Sequence, residues 1–470
     1  MLRQLWMLRI VVACSLIAIT TFTLVWRLSH GAERSNEPQR SLEHHALLGR
    51  QREFWRQIYH DLTESRPNCS KIVHDGGLDV VGVQEAPPPR PMKVLLEDQQ
   101  HHALKTAHAA FTGRLQARPY DLPYVPATRG IVMTAGGSYL MHALVSVRMI
   151  RRTGTNMPIE VFLRDPSEGD SRICEDIFPS LNAKCIALSS TLGDDISNIG
   201  KYGYKMISML LSSFEDFLYL DADCFPIHNP ETLFEQPPFT THGLVLWPDF
   251  WYPTESPFFF DIANIGMPPM DHSQVASEAG TILYSKRTHS TALLIATYYN
   301  FYGPDFYYKL HSQGALGEGD KETFRWSAVT SNTSWYQVKA HVQHLGFTTQ
   351  SGERRDSVMA QYNPMTDFKA TTPSALARIR PFFMHQHNPK LDPGWMFALD
   401  NTSTIFDSNG SMRRIWHENV TEAQNYFGNG FDAEMGMWEE MRDMTCEYDK
   451  LFHKEACEVG VEYVKRVFGG

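Results

Sequence analysis

The sequence predicts an α/β domain built on a mixed, mostly parallel sheet, and three observations carry that reading. Short apolar runs alternate with helical patterns between about Pro126 and Pro393, as strands joined by crossover helices require. Two of the runs end in polar or glycine signatures, Ala135-Gly136-Gly137 and Asp221-Ala222-Asp223, and ligands of open α/β sheets gather beyond strand carboxyl ends. Neither a GxGxxG fingerprint nor a P-loop occurs, so a hydride-transfer cofactor fold and an ATPase are both unsupported.

Taken in order, Gly130-Ile131-Val132-Met133-Thr134 reads as the first buried strand, followed by a helix through Leu140, Leu144, Val147 and Met149. Residues 159–163 form a second strand, and a helix over 206–213 leads into the apolar strand that ends at the acidic pair. Further strands are expected at 244–247 and 281–284, with a helix over 290–299. Ser285-Lys286-Arg287 is expected to be a solvated turn. Gly317 to Glu322 opens a helix, either on the surface or as a substrate-binding loop. Late in the chain, Phe382 to His387 reads as a strand whose two histidines share a face.

Before the domain, residues 10–26 carry no charge and are flanked by Trp6 and Trp26, which favours an uncleaved membrane anchor over a removed signal peptide. A stem is expected from there to about Pro126, with amphipathic helices at 42–62 and 92–115 around Pro87-Pro88-Pro89-Arg90-Pro91. In the second, Leu104, His108, Phe111 and Leu115 share a face. Acceptor sequons lie only after the anchor, at Asn68, Asn332, Asn401, Asn409 and Asn419. Six cysteines follow Cys14. Their even number favours disulfides, with Cys174–Cys185 and Cys446–Cys457 as the shortest loops and buried thiols as the alternative. The expected plan is a cytoplasmic tail 1–9, anchor 10–26, luminal stem 27–125, catalytic domain 126–400 and luminal extension 401–470, on a single-pass type II protein of the Golgi membrane. A net charge of -10 with only short basic runs, Arg151-Arg152 and Arg413-Arg414, sets nucleic acid aside.

The chemistry centres on Phe217-Leu218-Tyr219-Leu220-Asp221-Ala222-Asp223. Residues two apart on a strand point the same way, so Asp221 and Asp223 are expected side by side. Paired hard-oxygen ligands suit Mn²⁺ or Mg²⁺ carrying a diphosphate, as in a sugar-nucleotide-dependent transferase. A solvated loop pair is the bland alternative. Glycoside hydrolysis needs carboxylates facing each other across a sugar, which adjacent positions do not offer. Trp247, Asp249 and Trp251 combine rings and a carboxylate suited to sugars, or else a buried aromatic cluster. Gly136 and Gly137 would allow close approach of a nucleotide, or simply a tight turn.

In combination these segments resemble the fungal α-mannosyltransferases of glycosyltransferase family 71. The resemblance rests on residues 130–152, 201–223, 230–234, 246–251, 278–281, 319–324 and 385–393. It implies a GT-A type domain that transfers mannose from GDP-mannose to a mannose-containing glycan, with Mn²⁺ and retention of configuration. Other readings are a relative using another nucleotide sugar and a non-catalytic glycan-binding scaffold subunit. A Golgi glycosyltransferase complex is a further expected partner. Carried over by position, Asp221 and Asp223 hold metal and diphosphate, with His385 as third ligand and His387 as its substitute. Thr134, Gly136, Gly137, Ala222, Lys205, Lys321 and Lys390 would line the donor, and Asp320 would lie near the sugars. Should the reaction be a double displacement, Glu278, Asp261 and Asp320 are the candidate nucleophiles. This sequence departs from the resemblance at Ala279-Gly280-Thr281, where many relatives have Ser-Gly-Gln: if that glutamine contacts donor or acceptor, Thr281 is too short to replace it, which leaves sugar or linkage preference open.

Overall fold

The computed structural model describes residues 45–349, 353–398, 405–406, 411–428 and 430–469. The expected anchor at 10–26, and Asn401 and Asn409, lie outside the described residues. Among the described residues no helix is long and apolar enough to cross a membrane. The chain divides into two compact units, Met1–Glu53 and Phe54–Gly470. In the first, residues 45–53 are helical; everything below concerns the second.

Among the described residues thirteen strands occur in chain order. A small ladder pairs β1 (Val73–His74) with β2 (Val94–Leu95). Next come β3 (Val125–Thr134), β4 (Ile159–Leu163), β5 (Ala183–Ala187), β6 (Phe214–Asp221) and β7 (Cys224–Pro226). They are followed by β8 (Leu244–Pro248), β9 (Ser277–Ser285), β10 (Tyr336–Gln337), β11 (Gln343–Thr348), β12 (Arg354–Tyr362) and β13 (Pro381–Gln386). The main sheet has the order β10-β8-β9-β6-β3-β4-β5. Its pairings are parallel except where β9 meets β6 and β8, so β9 alone runs backwards. A second, antiparallel sheet has the order β11-β12-β13-β7.

The apolar runs explain the centre of the main sheet. Ile131, Val132, Met133, Leu218, Leu220, Ile282 and Leu283 are essentially fully buried, as strands covered on both faces must be. The helix Tyr139–Arg152 buries Leu140, Leu144, Val147 and Met149 as expected.

Three boundaries differ from expectation. The stem segment from Phe54 onward belongs to the compact unit: Phe54, Trp55, Ile58 and Leu62 are buried, as are Leu104, His108, Phe111 and Leu115 of the helix Asp98–Ala117. The expected amphipathic face was real, and its partners are Tyr298 and Tyr299: Phe111 stacks on Tyr298, and His108 Nε2 lies 3.0 Å from Tyr299 Oη. The C-terminal extension likewise packs inward, burying Trp438, Met441 and Met444 of the helix Ala433–Glu447 and Tyr463 of Lys454–Phe468. The solvated turn expected at Ser285-Lys286-Arg287 is instead the end of β9 and the start of the helix Lys286–Phe301. There Lys286 is fully buried and its Nζ donates to the carbonyls of Leu210 and Ser212 at 3.0 and 2.7 Å.

Both expected disulfides are formed, Cys174–Cys185 and Cys446–Cys457, while Cys69 and Cys224 are free thiols. The basic runs are structural: Arg151 donates to the Leu181 and Met157 carbonyls, both at 2.7 Å, Arg152 pairs with Glu440 at 3.1 Å, and Arg414 with Asp432 at 2.7 Å.

Candidate active site

A cavity of about 880 Å³ opens beyond the carboxyl ends of β3 and β6, where the sheet architecture places ligands. The acidic pair enters it in a way that strand alternation did not anticipate. β6 ends at Asp221, and Ala222 and Asp223 form a turn into β7, so the pair spans the junction between the two sheets. Both side chains nevertheless line the cavity. The turn is fixed from two sides. Ser146 Oγ of the helix Tyr139–Arg152 donates to the Ala222 carbonyl at 2.7 Å, and the Gln386 amide of β13 donates to the Asp223 carbonyl at 2.9 Å.

The two carboxylates live in different surroundings. Asp221 remains about one-third exposed; it accepts from Tyr219 Oη at 2.9 Å and lies 3.1 Å from Lys205 Nζ. Lys205, near the start of the helix Gly203–Leu211, also reaches Asp320 at 3.2 Å and donates to the Ala279 carbonyl at 2.9 Å. Burial alone would discharge Lys205, yet Asp221 and then Asp320 hold its pKa well above the ordinary value. Asp223 is buried between His385 Nε2, at 3.1 Å, and the Lys390 ammonium. Burial would raise its pKa, but the charge of His385 and then of Lys390 keeps it below the usual carboxylate range. His385 bridges two carboxylates, its Nδ1 lying 3.2 Å from Glu278 Oε1, and these carboxylates outweigh burial to hold the imidazole protonated.

Gly136 and Gly137 both adopt positive φ, +145° and +55°, in the turn after β3, a conformation open to glycine. Gly280 is required by close approach: a Cβ there would sit 2.5 Å from His385 Cε1 and 2.6 Å from Glu278 Oε1.

Most expected site residues meet at this cavity. Thr134, Gly136, Lys205, Asp221, Ala222, Asp223, Asp249, Trp251, Glu278, Asp320, Lys321, His385 and Lys390 line it, while Gly137 occupies the adjoining turn. The Gly317–Glu322 stretch is thus cavity wall: Lys321 pairs with Asp249 at 2.9 Å and sits 4.4 Å from the centre of the Trp251 ring. Three expectations fail. Trp247 faces the core, donating from Nε1 to the Tyr362 carbonyl; β8 ends at Pro248, so strand periodicity no longer ties the face of Asp249 to that of Trp247. His387 lies past the end of β13 and is absent from the lining; β13 stops at Gln386, so alternation no longer holds the two histidines on one face. Asp261 is half exposed and paired with Lys105 at 2.8 Å, away from the cavity. Thr281, expected to be too short to stand in for a glutamine contact, is fully buried, 3.1 Å from Cys224 Sγ, and does not reach the cavity.

Several lining residues were missed. Arg164 and Lys201 bring cationic side chains without an ion-pair partner among the described residues. Arg164 directly follows β4, so the strand-end rule could have found it. His344 stacks on Phe250 with ring centroids 3.6 Å apart, and came from β11, which was not anticipated.

Among the described residues no ready-made cluster of three or more His, Cys, Asp or Glu groups converges on a metal position. The donor chemistry nevertheless fits a hard divalent cation: Asp221, Asp223 and His385 contribute carboxylate oxygen and imidazole nitrogen to one cavity, where Lys205 pairs with Asp221 and Lys390 with Asp223.

Of the expected acceptor asparagines, Asn68, Asn332 and Asn419 are exposed.

A family model described as "Mannosyltransferase putative" matches residues 128–275 and 269–365. Alpha-1,2-mannosyltransferase MNN21 of Candida albicans is 33% identical over 424 residues, covering 75% of this chain and 63% of its own. Alpha-1,2-mannosyltransferase MNN24 of the same organism is 34% identical over 319 residues, covering 60% and 45%. Alpha-1,2-mannosyltransferase MNN2 of Saccharomyces cerevisiae is 32% identical over 259 residues, covering 47% and 43%. The chain therefore spans roughly half to two thirds of the length of the curated relatives it matches. The solved galactosyltransferase LgtC aligns at 11% identity over 44% of this chain and 72% of its own, with a TM-score of 0.28, too slight a likeness to bear on the fold.

Proposed function

The chain belongs to the family of fungal mannosyltransferases that its sequence resembles, and from that premise we propose that it transfers mannose from GDP-mannose to a mannose-containing glycan with retention of configuration. The observation that carries this reading is the acidic pair Asp221 and Asp223, held at a strand end in a cavity that also contains five cationic side chains, Arg164, Lys201, Lys205, Lys321 and Lys390. Acid and base in such proximity suit a diphosphate leaving group better than a neutral ligand. The fold is read as GT-A type and the setting as the Golgi lumen, on an N-terminal anchor and within a glycosyltransferase complex.

In this reading the acceptor hydroxyl attacks the anomeric carbon from the face that GDP leaves. The bond to the β-phosphate oxygen breaks with its electron pair, and a phosphate oxygen receives the hydroxyl proton. Lys205, Lys390 and the open Arg164 stabilise the charge gathering on the diphosphate, and Asp249, Trp251 and Lys321 orient the sugars. Asp221, Asp223 and His385 would hold Mn²⁺ or Mg²⁺, which when bound neutralises further diphosphate charge. For a double displacement, Glu278 and Asp320 stay candidates because both line the cavity, whereas Asp261 does not.

The test is incubation of the purified full-length chain with GDP-mannose, UDP-galactose or UDP-glucose, Mn²⁺ and α-1,2-mannobiose, followed by linkage analysis. A mannotriose formed from GDP-mannose alone supports the reading. Transfer from a uridine sugar nucleotide replaces the donor assignment, and absence of transfer from every donor favours a glycan-binding scaffold.

A further inference from the structure

The antiparallel sheet has a second hollow on its reverse face. Neighbouring residues on a strand point to opposite sides, and β11 divides accordingly: His344 lines the large cavity, while Gln343 and Leu345 line a separate cup of about 450 Å³. That volume lies within the range of small-ligand sites. Its floor is Leu345, Gly346, Trp416 and His417, all buried; its rim includes Gln343, Arg354, Glu422 and Asn425, all exposed.

His417 is the informative residue. It is 94% buried, and neither ring nitrogen has a hydrogen-bond partner among the described residues. Buried polar groups rarely stay unpaired in a native protein. Burial, and then the charge of Arg414, pulls the pKa of the imidazole down to about 4, so near neutral pH one nitrogen donates and the other accepts.

The surrounding charges are already engaged. Arg380 donates to the Asn425 and Tyr426 carbonyls, both at 2.7 Å. Arg354 lies 3.6 Å from Asp356 and 3.9 Å from Glu418, and Glu422 accepts from the Glu418 amide at 3.0 Å. An anion entering the cup would meet the Glu422 carboxylate and the accepting nitrogen of His417. A sugar hydroxyl both donates and accepts, and so can pair with whichever ring nitrogen of His417 it reaches, in either tautomer, while the Tyr426 ring offers an apolar surface for the sugar face.

We propose that this cup is a second carbohydrate site, binding a neutral hexose unit of a glycan at a position separated by the sheet from the candidate active site. The hexose chemistry stands on the cup alone; the choice of mannose as the probe rests on the function proposed above.

The test is isothermal titration of the full-length chain with α-1,2-mannobiose, without any nucleotide sugar. One class of binding site is expected to weaken about tenfold in His417→Phe, which keeps a ring but loses both nitrogens, and in Gln343→Trp, which fills the mouth from an exposed position. A thermal melt reports whether His417→Phe is folded; if it is not, Gln343→Trp decides. The proposal is overturned by unchanged titrations in the folded variants, by absence of saturable binding to the native chain, or by displacement of the sugar with inorganic phosphate. Because no donor is present, failure of mannose transfer leaves this result standing.

Discussion

Asp221 and Asp223 show how two like residues one position apart acquire different jobs. Asp221 keeps an open carboxylate beside Lys205, whereas Asp223 is enclosed by His385 and Lys390. Removing Asp223 strands buried positive charge, and removing Asp221 does so less, since its lysine retains Asp320. Asp221→Ala is therefore expected to lower kcat by at least about a thousandfold with only a small drop in Tm. Asp223→Ala should lose activity and also stability, by roughly 3–5 kcal/mol. Activity assays and thermal melts on the two variants check this, and equal melting losses would contradict the asymmetry. The pair itself was legible in the sequence because an apolar strand ran into it. The pairing of His385 with Glu278 and the need for glycine at Gly280 were not, since both arise where β9 and β13 approach in space.

Lys286 carries the pH argument at the same scale. Burial lowers its pKa from 10.5 to about 7, partly offset by Glu160. Between pH 7 and about 10.4 the unfolded chain therefore binds more protons at this site than the folded chain does. The sign follows: this residue's penalty is largest below pH 7, and stability rises with pH across that window by roughly 5 kcal/mol. Lys286→Met is expected to flatten that rise. Urea unfolding of both proteins at pH 7, 8.5 and 10 measures the difference, and parallel pH profiles would contradict the assignment. A sequence reading placed this lysine in water because charge next to a strand end usually marks a turn. What keeps it inside are two carbonyls at the end of the helix Gly203–Leu211, invisible without the fold.

Among elements, strands buried on both faces were readable and exposed or short ones were not. β4 matches its expected bounds because all five of its residues are buried and apolar or paired. β9 was seen as a strand, but a continuous buried run has no periodicity that reveals direction, and its antiparallel sense went unread. β11 and β12 begin with polar, exposed residues such as Gln343 and Arg354 and were missed, as was the three-residue β7, so three of the second sheet's four strands had no sequence signature. β5 was missed too, and the disulfide from Cys185 ties it to Cys174 in the preceding helical turn. Closing a loop of 11 residues restricts the unfolded chain by about 3 kcal/mol. The double variant Cys174→Ser with Cys185→Ser should lose about that much stability. Denaturant melts of the two oxidised proteins test it, and an unchanged midpoint would mean the bridge constrains little.

At the scale of the molecule, the decisive question is where the folding unit begins. Composition and the Pro-rich run at 87–91 suggested a stem before Pro126, yet that segment completes the core. Arg90 Nη1 lies 3.3 Å from the buried Glu255, and Gln313 accepts from the Lys93 and Val94 amides while donating to the Pro91 and Thr254 carbonyls. Phe54, Trp55, Ile58, Leu62, Leu104 and Phe111 are all buried to within a few per cent. At roughly 1.5–3 kcal/mol per large apolar side chain, their burial contributes about 10–15 kcal/mol. This rivals the whole net stability of a typical domain, about 5–15 kcal/mol. A chain starting at Pro126 is accordingly expected to aggregate or remain unfolded, whereas one starting at Ser35 should melt cooperatively. Circular dichroism and size-exclusion chromatography of the two truncations discriminate the outcomes. A folded, monomeric Pro126 chain would mean that the helix Asp98–Ala117 decorates the core without completing it.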